Sequence, residues 1–248
     1  MKTILFSDID GTILNSEYKF KIVDPKIKQL LNMGVSFVFC SSKTRAEIEF
    51  YRKSLGIPDP FIIENGAAII VPKNYFPDND YEKSTICYDN IEIGIPYPVL
   101  RQKLQAIKNN TNFQIVGFGD MTAKEISKDS RLPIKLAKLA KKREYDEPLR
   151  IVAGNEEQFV MAAEAEGLSV VKGDRYWHLK GLHNKGTAVK ILINLYRVSF
   201  GQIRTVGVGN GPNDLPMLSA VEKSFWVDND EHINDVWVSV LDWVSGSN

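Results

Sequence analysis

Two aspartates, Asp8 and Asp10, stand directly after a short apolar run near the start of the sequence, and Gly11 and Thr12 follow them. Residues two apart in extended backbone point to the same side, so both carboxylates reach the same end of the predicted strand. Two carboxylates this close repel each other and need a cation, a shared proton or both. We therefore predict a functional site here, in preference to a helix N-cap or a loop with incidental acids.

A second polar cluster, residues 40–44 (Cys-Ser-Ser-Lys-Thr), follows another apolar run and precedes a helix. Hydroxyl groups, free backbone N–H groups and a helix N-terminus together form a cradle for an anion. The same residue types also serve as ordinary helix caps. The sequence leaves both interpretations open for Ser41 and its neighbours.

A third cluster contains Lys185, at the start of a predicted helix. The helix dipole disfavours a cation at this end, and a bound anion would offset the repulsion. The alternative is an exposed surface lysine. We predict that Lys185 binds an anionic ligand.

A fourth cluster, residues 207–214, reads as the end of a strand, a glycine-rich turn and the start of a helix. Glycines allow close approach of the backbone. Asn210, Asn213 and Asp214 offer the hard oxygen ligands that suit Mg²⁺. A plain turn in which Asp214 caps the next helix is the alternative.

The alternation of apolar and amphipathic segments predicts an α/β fold: a doubly wound, parallel-sheet (Rossmann-like) core with an inserted α+β domain. Residues 1–83 and 181–248 form the predicted core, and we call residues 84–180 the cap segment. Two consecutive domains are the alternative, but each half-sheet would then be small and poorly covered. The predicted core strands lie at 3–7, 35–40, 61–64, 203–208 and 224–227, and the helices between them include 44–55, 185–198 and 212–218.

Turn and cap signals refine this picture. Asn65-Gly66 and Asn79-Asp80 predict turns around short antiparallel strands. Asp24 is the predicted N-cap of the first helix, with Pro25 in its first turn. Cys40 stands inside an apolar run, which favours buried packing.

Composition excludes several classes of protein. The chain has 248 residues, 44% hydrophobic and 25% charged, and 31 basic residues balance 31 acidic ones, so no global field attracts nucleic acid or an anionic membrane. The longest uncharged stretch, Gln29–Ser42, is too short and too polar to span a bilayer. Asp8 comes too early for a secretory apolar region to precede it, and two cysteines make no disulfide framework. We expect a cytoplasmic protein with no nucleic-acid or membrane partner.

The four clusters together resemble the four motifs of haloacid-dehalogenase-superfamily phosphatases. The matching residues are Asp8, Asp10, Gly11, Thr12, Ser41, Lys185, Gly186, Gly209, Asn210, Asn213 and Asp214. The resemblance implies that Asp8 is the nucleophile and Asp10 the general acid and base. It implies Ser41, Lys185 and Asn213 as phosphate ligands, and Mg²⁺ on Asp8, the Asp10 carbonyl and Asp214. The family usually has Asp where this chain has Asn210, which can still bind metal through its amide oxygen.

Longer strings resemble the mannosyl-3-phosphoglycerate phosphatase family. They are residues 40–44, Glu64-Asn-Gly-Ala-Ala68, Arg143-Glu-Tyr-Asp-Glu-Pro148 and 211–218. The implied substrate, 2-(mannosyl)-3-phosphoglycerate, is a small phosphorylated sugar glycerate, and Lys43 and Arg45 are candidates for contacting its carboxylate and hydroxyls. The alternatives are a broad sugar-phosphate phosphatase, a phosphomutase, or a binding module with a decayed site, the last suggested by Asn210.

Overall fold

The computed structural model describes residues 1–15, 23–76, 83–109, 113–173 and 175–246. Within these ranges the chain alternates strands and helices. In chain order they are β1 Lys2–Ser7, α1 Asp24–Asn32, β2 Ser36–Phe39, α2 Arg45–Leu55, β3 Phe61–Ile63, β4 Ala68–Pro72, β5 Lys83–Ser84, β6 Tyr88–Glu92, α3 Tyr97–Asn109, β7 Gln114–Gly117, α4 Ala123–Ser130, α5 Ile134–Ala140, β8 Glu147–Ala153, α6 Glu156–Ala165, β9 Ser169–Lys172, β10 Trp177–Lys180, α7 Lys185–Phe200, β11 Ile203–Gly209, α8 Leu215–Leu218, β12 Lys223–Trp226 and α9 Ile233–Ser245.

A parallel sheet with strand order β12-β11-β1-β2 is the centre of the fold. Ser7, at the end of β1, lies opposite Val208 in β11 and Phe39 in β2, so the three strands end at the same edge. The side chains of β1 are nearly all buried because helices cover both faces of the sheet. This confirms the predicted doubly wound α/β core.

The predicted third strand, β3, meets this sheet just beyond the end of β2. A single parallel bridge links Cys40 to Ile62. β3 then turns back into β4, and the antiparallel sheet β3-β4-β6-β5 follows. The antiparallel excursion predicted after Asn65-Gly66 is thus confirmed, while the turn predicted at Asn79-Asp80 lies outside the described residues.

The cap segment contains a second antiparallel sheet, β7-β8-β10-β9, packed with helices α3 and α6. It has an apolar cluster of its own, around Leu104, Leu149 and Phe159. The α+β character predicted for the insertion is confirmed. Its boundaries stay a prediction, since β6, at Tyr88–Glu92, pairs with β4 on the core side.

Side-chain caps begin some of the helices but not the first one. Thr44 caps α2 and exchanges hydrogen bonds with Glu47, and Asn184 caps α7. The prediction that Asp24 caps α1 is wrong, because the N-cap is Val23. The backbone already begins the helix at Asp24, whose carboxylate contacts Lys28 at 2.7 Å instead.

The largest apolar cluster joins the core to the cap segment. It includes Leu5 and Phe37 of the parallel sheet together with Ile126, Leu136 and Tyr145 of the cap segment. The cap segment is therefore packed against the core as well as linked to it. Cys40 is fully buried, as predicted. Within the described ranges no helix combines the length and apolarity needed to cross a bilayer.

Candidate active site

The carboxyl ends of β1 and β11 bring the first, third and fourth clusters together. Lys185 Nζ lies 2.8 Å from Asp8 Oδ1 and 2.5 Å from Asp214 Oδ1, although 177 residues separate Lys185 from Asp8. The side chains of Lys185 and Asp214 are fully buried, and that of Asp8 is 10% exposed. One buried cation therefore bridges two carboxylates at the sheet edge.

Burial sets the protonation of this group. It raises the pKa of Asp8 to about 6, against the attraction of Lys185. Burial also disfavours the charged form of Lys185, but Asp214 and Asp8 hold the pKa of the lysine above its ordinary value. A positively charged Lys185 beside Asp8 leaves that carboxylate ionised near neutral pH, which a nucleophile requires.

Asp10 lies closer to solvent, with a side chain 47% exposed, and its Oδ2 is 2.8 Å from Lys43 Nζ. Burial disfavours charge on Lys43, but Asp10 and Glu47 raise the pKa of the lysine above its usual range. Among the described residues, Asp10 Oδ1 has no hydrogen-bond partner although the atom is covered. Asp10 thus lines the cleft, and its predicted role as general acid and base stays a prediction.

The fourth cluster forms a tight turn around Asp214. Its Oδ2 accepts hydrogen bonds from the backbone N–H groups of Asn210 and Gly211, both at 2.9 Å. Both carboxylate oxygens of Asp214 are therefore engaged, one by this turn and one by Lys185. Asn210 reaches across to the first cluster, where its Oδ1 accepts a hydrogen bond from Thr12 Oγ1 at 3.2 Å.

Gly11 makes this approach possible. Its φ is +67°, and a Cβ there would lie 2.2 Å from Asn210 Nδ2. Any larger residue would strain the backbone and push Asn210 away. The amide of Asn210 is consequently held beside the Asp8–Asp10 loop.

The oxygen donors at this edge fit a magnesium ion only if amide or carbonyl oxygens contribute. Across the described parts of the chain, no three His, Cys, Asp or Glu side chains are arranged to hold a metal. Carboxylate, amide and backbone oxygens are all ligands that Mg²⁺ accepts. Two such oxygens are Asp10 Oδ1, which has no hydrogen-bond partner among the described residues, and Asn210 Oδ1, which accepts one from the Thr12 hydroxyl.

The predicted phosphate ligands take different positions. Ser41 is fully buried after β2, and its Oγ accepts a hydrogen bond from the backbone N–H of Lys43 at 3.3 Å. Asn213 is half-buried in the turn and donates through Nδ2 to Asn65 Oδ1 at 3.1 Å. Their predicted roles toward phosphate remain predictions.

Arg45 is engaged elsewhere. Its Nε and Nη2 each donate to the Glu144 carboxylate of the cap segment at 3.0 Å. Arg45 does not line the cleft above Asp8, whereas Lys43 does. The structure thus separates the two residues that the sequence proposed together as substrate contacts.

A cleft of about 700 Å³ lies between the core and the cap segment. Asp8, Asp10 and Asn213 line its core side, and Arg143, Tyr176 and His178 line its cap side. His178 Nδ1 lies 2.9 Å from Asp146 Oδ1. Burial favours protonation of Asp146, but His178 and Arg143 lower its pKa to about 2.

Glu64 and Asn65 are not among the predicted site residues. In the structure, both side chains form hydrogen bonds with the cap segment. Both have positive φ, +45° and +61°. Asn65 Nδ2 donates to Asp146 Oδ2 at 2.8 Å. The only signal for this contact was that residues 64–68 and 143–148 both belong to strings that carry the resemblance.

Comparison with known proteins agrees with this geometry. The family model described as haloacid dehalogenase-like hydrolase matches residues 5–233. The chain belongs to this family. All four polar clusters at the sheet edge fall within the matched range, as does the cap segment.

Two curated relatives of this hydrolase cover most of its length. One, from Methanococcoides burtonii, is named glucosyl-3-phosphoglycerate/mannosyl-3-phosphoglycerate phosphatase and is 42% identical, covering 92% of this chain and 85% of its own. Another, from Pyrococcus horikoshii, is named mannosyl-3-phosphoglycerate phosphatase and is 38% identical, covering 94% and 93%. A haloacid dehalogenase-like hydrolase from B. subtilis shares the fold, with a TM-score of 0.63, 18% identity, and coverage of 95% and 92%.

Proposed function

We propose that this hydrolase is a magnesium-dependent phosphatase that releases phosphate from 2-(mannosyl)-3-phosphoglycerate. The observation that carries the proposal is the buried Asp8–Lys185–Asp214 group, of which Asp8 lines a cleft between the core and the cap segment. The names of two relatives that cover most of the chain support the substrate.

Asp8 is the nucleophile in this proposal. Its carboxylate attacks phosphorus in line, an aspartyl-phosphate forms, and the sugar glycerate leaves as an alcohol. Asp10, at the more open position beside Lys43, protonates the leaving oxygen and later takes a proton from the attacking water. Water then attacks the phosphorus and restores the Asp8 carboxylate.

Lys185, Ser41 and Asn213 are proposed to hold the phosphoryl oxygens. Lys185 is already placed 2.8 Å from Asp8, so its charge lies where the negative charge of the transferring group develops. Asp214 fixes Lys185 and the 210–211 turn at once.

Asp8, the Asp10 carbonyl, Asn210 and Asp214 are the candidate metal ligands. Mg²⁺ would offset the repulsion between the carboxylate and the phosphate. Asp214 would have to share an oxygen with Lys185 or with the turn. Asn210 Oδ1 would have to share only with the neutral Thr12 hydroxyl, at 3.2 Å, and this weaker competition supports Asn210 as the direct side-chain ligand of the pair.

A phosphate-release assay tests the proposal. The panel contains mannosyl-3-phosphoglycerate, its glucosyl counterpart, simple sugar phosphates and p-nitrophenyl phosphate. We expect the glycosyl phosphoglycerates to be turned over best, EDTA to stop the reaction, Mg²⁺ to restore it, and Asp8→Asn to abolish it with the fold intact.

The same panel separates the alternatives. Equal rates on all sugar phosphates would indicate a broad phosphatase, and transfer to a second sugar without free phosphate would indicate a phosphomutase. A binding module would release no phosphate from any of them. Full turnover by Asp8→Asn would show that the nucleophile is another residue.

A further inference from the structure

The segment between α5 and β8 carries Arg143 and is fastened to the core by Glu64. The Glu64 carboxylate accepts hydrogen bonds from the backbone N–H groups of Glu144, Tyr145 and Asp146, at 2.7 to 2.9 Å. The carboxylate is fully buried. A side chain at the start of this segment is therefore held at a fixed place relative to the core.

Arg143 is the side chain that this attachment presents to the cleft. It is 5% exposed, lines the cleft, and donates through Nη1 to the backbone carbonyl of Ser42 at 2.8 Å. Glu64 Oε2 is 3.8 Å from the same nitrogen. Among the described residues Arg143 Nε has no hydrogen-bond partner although it is buried.

An unpaired buried guanidinium N–H is costly, because the group has given up water without a replacement. Nε and Nη2 share the edge of the guanidinium that binds a carboxylate through two parallel hydrogen bonds. Nη1, the nitrogen on the other side, is the one that binds Ser42. The geometry thus leaves Nε, which belongs to the edge suited to an oxyanion, without a hydrogen bond that a ligand could supply.

The two lysines near the nucleophile are already engaged by carboxylates. Lys185 binds Asp8 and Asp214, and Lys43 binds Asp10 at 2.8 Å. Arg143 differs from them because it comes from the cap segment and lies at the wall beside Ser42. Because Asp8 and Arg143 line the same cleft, a phosphate ester with its phosphorus at Asp8 would have its organic part within this cleft as well.

We propose that Arg143 is a specificity-determining residue, which binds the carboxylate of the substrate through its Nε edge. The inference deepens the proposed function and rests on it. In a 3-phosphoglycerate the carboxylate carbon is two bonds from the carbon that bears the phosphate, so the two anionic groups lie close together. Core groups at Asp8 then hold the phosphate while one cap-borne cation selects esters that also carry a carboxylate.

Binding of a matched ligand pair tests this role. 3-Phosphoglycerate and glycerol 3-phosphate differ in having a carboxylate or a hydroxymethyl group at the same position. Titration calorimetry with Mg²⁺, on the full chain carrying Asp8→Asn to prevent turnover, gives both dissociation constants. We expect 3-phosphoglycerate to bind more tightly by roughly 10- to 100-fold, the range for hydrogen bonds to a charged group.

Adding Arg143→Gln should reduce this preference to within about threefold, mainly by weakening 3-phosphoglycerate. Arg143→Lys keeps the charge but loses the paired N–H edge, so it should recover only part of the preference. Lys142→Gln is the matched control, because it removes a charge from the adjacent, exposed residue and should keep the full preference. Thermal unfolding of each variant shows whether it is folded.

Three outcomes would overturn the proposal. The first is that the Asp8→Asn chain does not bind 3-phosphoglycerate, or does not bind it more tightly than glycerol 3-phosphate. The second is a preference that survives Arg143→Gln. The third is that Arg143→Gln weakens the binding of both ligands equally. The last would assign Arg143 to the phosphoryl group instead. If the wild-type chain fails to hydrolyse mannosyl-3-phosphoglycerate, the proposed function fails, while the carboxylate preference remains measurable by itself.

Discussion

At the scale of single residues, the two candidate metal ligands of the fourth cluster have different surroundings. Both oxygens of Asp214 are engaged, by Lys185 and by the turn at 210–211. Asn210 lies with its Nδ2 against Gly11, and its Oδ1 accepts a hydrogen bond from the neutral Thr12 hydroxyl at 3.2 Å. Their substitutions are therefore expected to affect different measurements.

Asn210→Ala should weaken Mg²⁺ binding by roughly tenfold or more while leaving the unfolding midpoint nearly unchanged. Asp214→Asn should instead lower the unfolding midpoint, because it places an amide beside Lys185 and removes a buried charge partner. Calorimetric Mg²⁺ titration and thermal unfolding measure the two effects. If only Asp214→Asn weakens Mg²⁺, then Asp214 is the direct ligand and Asn210 is not.

The buried side chain of His183 is expected to make the stability of the fold depend on pH. It is 5% exposed just before α7. Burial and the nearby Lys180 lower its pKa to about 4, although Asp146 opposes the change. Between pH 6.5 and 4 the unfolded chain therefore binds a proton that the folded chain does not, and stability falls as pH falls.

His183→Leu should remove this loss. At each pH we compare the free energy of unfolding of the variant with that of the wild type. This difference should be larger, in favour of the variant, at pH 4.5 than at pH 7.5 by roughly 2 to 3 kcal/mol. Urea unfolding at the two pH values measures the difference. An unchanged difference between the two pH values in His183→Leu would contradict the account.

At the scale of elements, the turn between β3 and β4 has an unusual backbone. Glu64, Asn65 and Gly66 all have positive φ. A Cβ on Gly66 would lie 2.2 Å from the backbone carbonyl oxygen of Asn184, directly before Lys185. The turn and the start of α7 therefore fit together only if residue 66 is glycine.

Gly66→Ala is expected to destabilise the fold by about 3 kcal/mol or more, because neither backbone segment can move without disturbing a helix or a strand. Gly34→Ala is the control. It also has positive φ but no atom within 4 Å of the added Cβ, so it should cost only about 1 kcal/mol of backbone strain. Equal losses in the two variants, measured by urea unfolding, would show that the close approach is unimportant.

Local elements were well predicted from the sequence because their signals are local. The Thr44–Glu47 capping box and the apolar runs of β1 and β11 can be recognised within a few residues. Asp24 was assigned wrongly as a cap because Asp and Pro also suit the first helical turn. The contacts of Asn65 with Asp146 and Arg45 with Glu144 join residues 81 and 99 positions apart, and no periodicity reports such pairs.

At the scale of the whole molecule, ion pairs and buried hydrogen bonds connect the core to the cap segment. Arg45 binds Glu144 with two hydrogen bonds, and Glu64 holds the backbone beside it. The geometry makes Arg45 a bridge between the two parts. The sequence had suggested that Arg45 contacts substrate, and a double-mutant cycle distinguishes the two roles.

If Arg45 is a bridge, Arg45→Gln and Glu144→Gln should have similar effects, and the double variant should be little worse than either single one. We expect a coupling of about 1 kcal/mol in the free energy of unfolding. KM for mannosyl-3-phosphoglycerate should change equally in the two single variants. A rise in KM confined to Arg45→Gln would show that Arg45 contacts the substrate.

The C-terminal helix also reaches the site. Trp237 of α9 is fully buried, stacks on Phe37, and donates through Nε1 to the Thr12 carbonyl at 2.9 Å. The loop that carries Asp10 is thus supported by residues from the opposite end of the described chain. We therefore expect activity to depend on the packing of Trp237, although this residue belongs to none of the four clusters.

The place of β1 between β11 and β2 has a consequence for the order of events during synthesis. The ribosome makes Asp8 early, but Lys185 follows 177 residues later, and β11 later still. At about 5–20 residues per second, roughly 10 to 35 s pass between the synthesis of Asp8 and that of Lys185. Throughout this time the edge of β1 that later pairs with β11 has free backbone N–H and C=O groups, which can form hydrogen bonds with a strand of another chain. The site that encloses the nucleophile is therefore completed long after the nucleophile itself has been made.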